Sequence, residues 1–225
     1  MSGKSRLYVN VHAHRVASVE NELVITNIRC SAELKSDFHS LAYYSAGVHP
    51  WDIEKKPVDS CLKQIRDMAG KGTLIAIGET GLDKAINTPF EMQYQVFEEH
   101  INLAEEFQIP VIIHAVKSNQ ELIQLRKVRE VQIPFILHGF SGSSQLAMDL
   151  INAGYYLSAG NAVLHSKKLQ DAVKIIPPES LFIETDDSDI AVAALYKFIA
   201  LIKKIPEEEL CDQILENFNS VFKKR

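Results

Sequence analysis

Short, nearly all-apolar runs recur along the chain, segments of helical period lie between most of them, and no GxGxxG or P-loop follows any of them. Together these observations predict an α/β chain closed into a (β/α)8, or TIM, barrel with a reduced first β-to-α unit, a single domain over residues 1–225. The runs are Leu7 to Val11, Leu23 to Ile28, Tyr43 to Val48, Leu74 to Ile77, Val111 to Ile113, Phe135 to Leu137, Tyr155 to Leu157 and Leu181 to Ile183. Being apolar throughout rather than alternating, they read as parallel strands covered on both faces. Eight of them in 225 residues favour closure over an open doubly wound sheet, and no GxGxxG or P-loop supports a nucleotide-binding sheet.

Taken in order, the first crossover is the short one. Only His12 to Glu22 separates the first two runs, barely the ~10 to 12 residues a parallel connection needs, so its helix is expected to shrink to a loop. From Pro89 to Phe107, Phe90, Tyr94, Phe97, Ile101 and Ala104 step down one helical face, and Thr88, Pro89 and Glu91 supply start signals. Ser118 with Glu121 starts the next helix, with Leu122, Leu125 and Val128 as its buried stripe. Helices follow Ser143 or Ser144 and Ser166, and Gly154 is placed to end the first of these two. Two more, Ile190 to Lys203 and Glu207 to Phe222, are split by Ile205-Pro206 and close the outer layer.

Composition narrows the function classes. Hydrophobic residues are 46% and charged residues 24% of the chain, ordinary globular usage that argues against disorder. A formal net charge of -5 gives no general attraction to phosphates, so contact with DNA has to be local or metal-mediated. Cys30, Cys61 and Cys211 are scattered and in no CxxC spacing, which suggests neither a disulfide framework nor a thiolate zinc site. With no leader-like or membrane-length apolar run, the expectation is a soluble, cytoplasmic protein with no membrane partner.

The chemistry-bearing residues stand where the runs end. His12 and His14 follow the first, and side chains two apart on a strand share a face, so both imidazoles project together. Chance alone readily produces an HxH pair, but Glu79 follows the fourth run, His114 the fifth, His138 the sixth and Asp186 the eighth. In a (β/α)8 barrel the carboxyl ends of the strands form the active mouth. Six donors there exceed the need of one tetrahedral ion and match two divalent ions with open positions. Position puts His12, His14 and Asp186 on one ion, His114 and His138 on the other, and Glu79 between them. Such a set accepts zinc, manganese, magnesium or nickel. Asp186 is also placed to take a proton from a metal-activated water, so Asp186 and Glu79 are the candidate catalytic carboxylates.

The series NVHAH, AGVHP at Ala46 to Pro50, IGETGLD at Ile77 to Asp83, PVIIH at Pro110 to His114, LHGFSGS at Leu137 to Ser143 and ETD at Glu184 to Asp186 resembles the TatD family of metal-dependent deoxyribonucleases. The motifs stand in that family's order over almost the whole chain, and Asn217 to Phe222 is similar to its C-terminal end. The resemblance implies an amidohydrolase-like metal site on a TIM barrel that hydrolyses DNA phosphodiesters with a metal-activated hydroxide. Departures from the pattern are equally plain. Asn10 stands where the family usually has Asp, Val16 where it has an acid or amide, Ala115-Val116-Lys117-Ser118 where it carries an arginine, and Asp187-Ser188-Asp189 where a longer substrate loop begins. Lys117 is the candidate replacement for the arginine as a phosphate contact.

Lesser candidates carry bland readings beside the functional ones. His49 ends the third run and is a candidate substrate contact or a turn residue. Trp51 is a base-stacking candidate, against the commoner role of plugging the core edge. Gly139 to Ser143 reads as an anion-binding turn or a plain β-to-α turn, and Asp83 as a residue that orients a ligand. His39, His100 and His165 receive no role. The expected function is a metal-dependent phosphodiesterase acting on DNA or a smaller phosphoester; the alternatives are hydrolysis of a small-molecule C–N or C–O bond and a non-catalytic metal-binding scaffold.

Overall fold

The computed structural model describes residues 6–15, 20–30 and 42–222. One sheet of eight parallel strands runs in chain order: β1 Tyr8–Ala13, β2 Glu22–Arg29, β3 Tyr43–Gly47, β4 Leu74–Asp83, β5 Val111–Val116, β6 Phe135–Leu137, β7 Tyr155–Ala159 and β8 Leu181–Ile183. Just past β8 the last strand returns to the first. Ala13 bridges Asp186 in parallel, with Asp186 N–H donating to His12 O at 3.0 Å, so the sheet is a nearly closed barrel. Every expected strand forms where its apolar run stands, because side chains on both faces are buried: β1, β4, β6 and β8 are buried at every position.

Helices α1 Val58–Gly70, α2 Phe90–Phe107, α3 Asn119–Arg129, α4 Ser144–Asn152, α5 Lys167–Ile175, α6 Val192–Lys203 and α7 Glu207–Val221 occur among the described residues. None is long and apolar enough to cross a membrane. His14, Arg15, Glu20 and Asn21 between β1 and β2 carry no helix; Val16 and His39 lie outside the described residues. The three cysteines are free and buried.

Helix starts divide the predictions. Ser143 and Ser166 cap α4 and α5, their Oγ atoms accepting from Leu146 N–H at 3.2 Å and Leu169 N–H at 3.3 Å. Gly154 takes φ +85°, the left-handed turn that ends α4. Thr88 does not cap α2: Pro89 holds the cap position, and the Thr88 hydroxyl donates to Glu54 Oε2 at 2.8 Å. Ser118 precedes α3 but donates its hydroxyl to Leu82 O at 2.7 Å, tying the helix start to β4 instead of closing the helix end. Val128 is exposed (72%), and Ile123 takes the expected third place in the buried stripe of α3. In both capping failures the hydroxyl is turned to donate to a strand or loop acceptor and away from the helix N–H groups it would have accepted from.

Candidate metal centre

Glu79 is the hub. Its side chain is 4% exposed, and its two oxygens face two different sets of imidazoles. Oε1 lies 2.8 Å from His138 Nε2, 3.1 Å from His114 Nδ1 and 3.2 Å from His49 Nε2. Oε2 lies 3.5 Å from His12 Nε2 and 3.8 Å from His14 Nε2. Asp186 Oδ1 closes the second side, 3.5 Å from His12 Nε2 and 3.4 Å from His14 Nε2. Four distant strands and the turn after β8 therefore deliver all six predicted donors to one cavity. The division between the two Glu79 oxygens follows the expected two sets, although His138 also approaches His12 and Asp186 closely enough to share an ion with them.

The local backbone explains how Glu79 gets there. At Gly81 a Cβ would sit 2.1 Å from His114 O, and at Gly78 2.3 Å from Ile112 O, so only glycine lets β4 lie this close to β5 on either side of Glu79. Asn27 of β2 completes the placement: its Oδ1 accepts from Glu79 N–H at 2.8 Å and from the Ser45 hydroxyl at 3.2 Å. Sequence reasoning missed Asn27. Its signal was an amide set beside Ile28 near the carboxyl end of the run Leu23 to Ile28.

Hydrogen bonds behind the rings fix which nitrogen each histidine offers. His138 Nδ1 meets Glu184 Oε1 at 3.2 Å, and that oxygen also accepts from Gly139 N–H at 2.8 Å. His114 Nε2 meets Asp83 Oδ2 at 3.3 Å. With their outer nitrogens protonated toward buried carboxylates, His138 Nε2 and His114 Nδ1 turn lone pairs toward Glu79 Oε1. Lone pairs facing a carboxylate at these distances repel unless a proton or a cation lies between them. His49 has the opposite polarity. Its Nδ1 accepts from Trp51 N–H at 3.1 Å, so its proton sits on Nε2 and points at Glu79. His49 thus offers a donor hydrogen, which suits it to an oxygen and not to a metal.

Charge in the cavity follows from this packing. Burial pushes the Glu79 carboxyl up, but the imidazoles of His114, His12, His138 and His49 crowded around it outweigh that and hold the group well below the usual carboxylate range. The imidazoles of His12 and His14 lower Asp186 likewise. Burial lowers His49, in keeping with its neutral form. The fully buried His12 has no hydrogen-bond partner at either ring nitrogen. An unpartnered buried imidazole is costly, and a cation at Nε2, the nitrogen that faces Glu79 and Asp186, would satisfy one of its two nitrogens. The residues present therefore fit a divalent ion, and the donor set has room for two.

The remaining candidates fall around this cluster. Lys117 stands outside it, in the left-handed conformation at φ +54°, lining a cavity of about 300 Å³ with Lys168, His138 and the Gly139–Gly142 turn. Asp187, not singled out from the sequence, is mostly exposed with Oδ1 3.9 Å from His14 Nε2. His165 ends a 3-10 turn after β7. His100, given no role from sequence, is fully buried in α2 and accepts Val48 N–H on Nε2 at 2.9 Å, one residue before His49.

Residues 9–223 match the family model described as TatD related DNase. The chain belongs to the TatD family of metal-dependent hydrolases. Among curated relatives, the metal-dependent hydrolase YjjV of Escherichia coli is 27% identical over 80% of this chain and 76% of its own length. The metal-dependent hydrolase YabD of Bacillus subtilis is 30% identical over 82% of this chain and 79% of its own length. The crystal structure of YjjV superposes with a TM-score of 0.83 at 22% identity, covering 96% of this chain and 97% of that one. A TatD family hydrolase from Entamoeba histolytica gives a TM-score of 0.80 at 17% identity over 99% of this chain and all (100%) of its own. These likenesses agree with the barrel described above. Against the TatD pattern, Asn10 is the departure that the structure explains best. Its Nδ2 donates to Thr185 Oγ1 at 2.8 Å and Glu22 Oε1 at 3.0 Å, while its Oδ1 accepts Thr185 N–H at 3.0 Å. With Glu22 as neighbour, an amide satisfies both sides where a carboxylate meets a like charge.

Proposed function

We propose that the chain hydrolyses phosphodiester bonds, in DNA or in smaller phosphoesters, at a site holding two divalent ions. The observation that carries this reading is the Glu79 carboxylate with separate sets of imidazoles on its two oxygens. When bound, such ions supply Lewis-acid charge to phosphoryl oxygens and lower the pKa of water. His12, His14 and Asp186 would hold an ion on one side of Glu79, and His114 and His138 one on the other.

The chain's own groups then have definite work. Asp186, part exposed at the mouth, takes the proton of the attacking water as the new P–O bond forms and returns it to the leaving oxygen, which departs as the alcohol when its bond to phosphorus breaks. His49 donates from Nε2 toward the same space as Glu79 Oε1 and so is placed to hold a phosphoryl oxygen. Lys117 and Lys168 give the adjoining cavity positive charge, which favours a phosphate over the neutral amide or lactone of the wider amidohydrolase group. No ion pair ties either lysine to a carboxylate among the described residues.

The test is a substrate panel with added manganese or zinc: bis(p-nitrophenyl) phosphate and a single-stranded oligonucleotide against nitroanilides and lactones. The reading expects turnover of the phosphoesters, abolished in His12→Ala and Glu79→Ala variants that remain folded. Turnover confined to amides or lactones would refute it, as would full activity in either variant. Tight binding of metal with no turnover on any ester would favour the scaffold alternative.

A further inference from the structure

Trp51 is the only tryptophan in the chain, and it stands at the rim of the metal centre in the 3-10 turn Pro50–Asp52 that follows β3. It is held firmly. Its Nε1–H donates to Asp83 Oδ2 at 2.8 Å, and the ring lies edge-on to His49 and His114 at centroid distances of 4.9 and 6.1 Å. Yet 47% of the residue is exposed. An indole used to plug a core edge is covered, and one left loose in solvent has no buried partner for its N–H; Trp51 is neither. Its orientation is fixed on folding, so a flat ligand landing on it need not order it again.

We propose that Trp51 is the stacking platform for an unpaired nucleobase beside the scissile phosphodiester. This rests on the phosphodiesterase reading and deepens it. Every base offers a π-face to an aromatic ring, and only an unpaired, unstacked base can present it. The placement around the rim agrees. Trp51 follows β3 and reaches Asp83 at the end of β4, whereas the cavity of Lys117 and Lys168 lies at the ends of β5 and β6. A strand crossing the Glu79 cluster thus has a platform for a base on one side and cations for its backbone on the other. The overall charge of -5 offers little general attraction to duplex DNA, so local contacts of this kind must supply the affinity.

Because Trp51 is the only tryptophan, its fluorescence reports on this contact alone. Metal-loaded protein is mixed in stopped flow with oligothymidylate, or with an oligonucleotide of equal length and charge built from abasic residues, and read before turnover. The expected result is quenching by the base-bearing strand only, with a KM for the abasic strand about ten-fold or more higher. Trp51→Phe keeps most of that discrimination and Trp51→Ala erases it. Equal quenching by both strands, or discrimination that survives in Trp51→Ala, overturns the platform. Cleavage of both strands at equal KM overturns it while leaving the phosphodiesterase reading standing; cleavage of neither overturns both.

Discussion

His49 and His114 carry the same side chain within hydrogen-bond reach of the same Glu79 oxygen, and their surroundings make them different reagents. The backbone of Trp51 turns His49 into a hydrogen donor, and Asp83 turns His114 into a lone-pair donor. Glu184 does the same for His138, which gives a direct expectation. Glu184→Gln still has an oxygen for Gly139 N–H but no charge to fix the imidazole tautomer, so metal affinity measured by competition with a chelator should fall about 10- to 100-fold. Unchanged affinity would remove Glu184 from the account. Asn10 allows a second test. Asn10→Asp sets a new buried carboxyl against Glu22, which Arg15 already pairs at 3.0 Å, so the introduced group binds a proton and its folded pKa rises above the unfolded value. Stability is then best kept at low pH and lost as pH rises: urea midpoints should show a deficit of about 1–3 kcal/mol at pH 8 that narrows toward pH 5. The six candidate donors were legible in the chain because a polar ending to an apolar strand stands out, and the structure gathers them around Glu79. Asn27 and Glu184 were not assigned their tasks, because hydrogen-bond partners 52 and 46 residues away leave no mark on spacing.

Among the elements, α2 does more than cover the sheet. Its Gln93 donates to Asp83 O at 3.0 Å and Thr88 O at 2.8 Å and accepts Asp83 N–H at 2.7 Å, pinning the end of β4. His100, two turns on, holds Val48 N–H on Nε2 and faces its own helix carbonyl Val96 O at 2.7 Å with Nδ1. Those partners require the neutral ring, and burial lowers its pKa to about 4. Since the unfolded ring titrates near ~6.5, the unfolded chain takes up the proton first as pH falls. The contribution of His100 is therefore complete above pH ~6.5 and is lost progressively down to pH ~4, a loss of about 3 kcal/mol. Urea unfolding of the wild type and His100→Gln across pH 7.5 to 4.5 checks this: the wild type should lose the greater stability, and parallel curves would contradict it. The position of α2 was legible from its apolar stripe. Its start was legible to within a residue from Pro89, but its cap was not, because the Thr88 hydroxyl is turned to Glu54.

At the scale of the molecule, barrel closure is what turns six scattered donors into a site. The return of Asp186 to the end of β1 sets His12 and His14 against a carboxylate from the last strand, and β4 brings Glu79 between them and the β5 and β6 histidines. Eight apolar runs, the alternation with helices and the motif series made this architecture legible, because burial on both faces leaves an unbroken hydrophobic signature. Which oxygen faces which ring, and why His49 turns a hydrogen toward Glu79, depended on contacts that no linear pattern encodes. The most direct test of the central claim is anomalous diffraction from crystals of the protein loaded with manganese or zinc. Two peaks, one on each side of the Glu79 carboxylate, with His12, His14 and Asp186 at one and His114 and His138 at the other, are the predicted result. Peaks only at surface carboxylates, or no peak within coordination distance of Glu79, would contradict it.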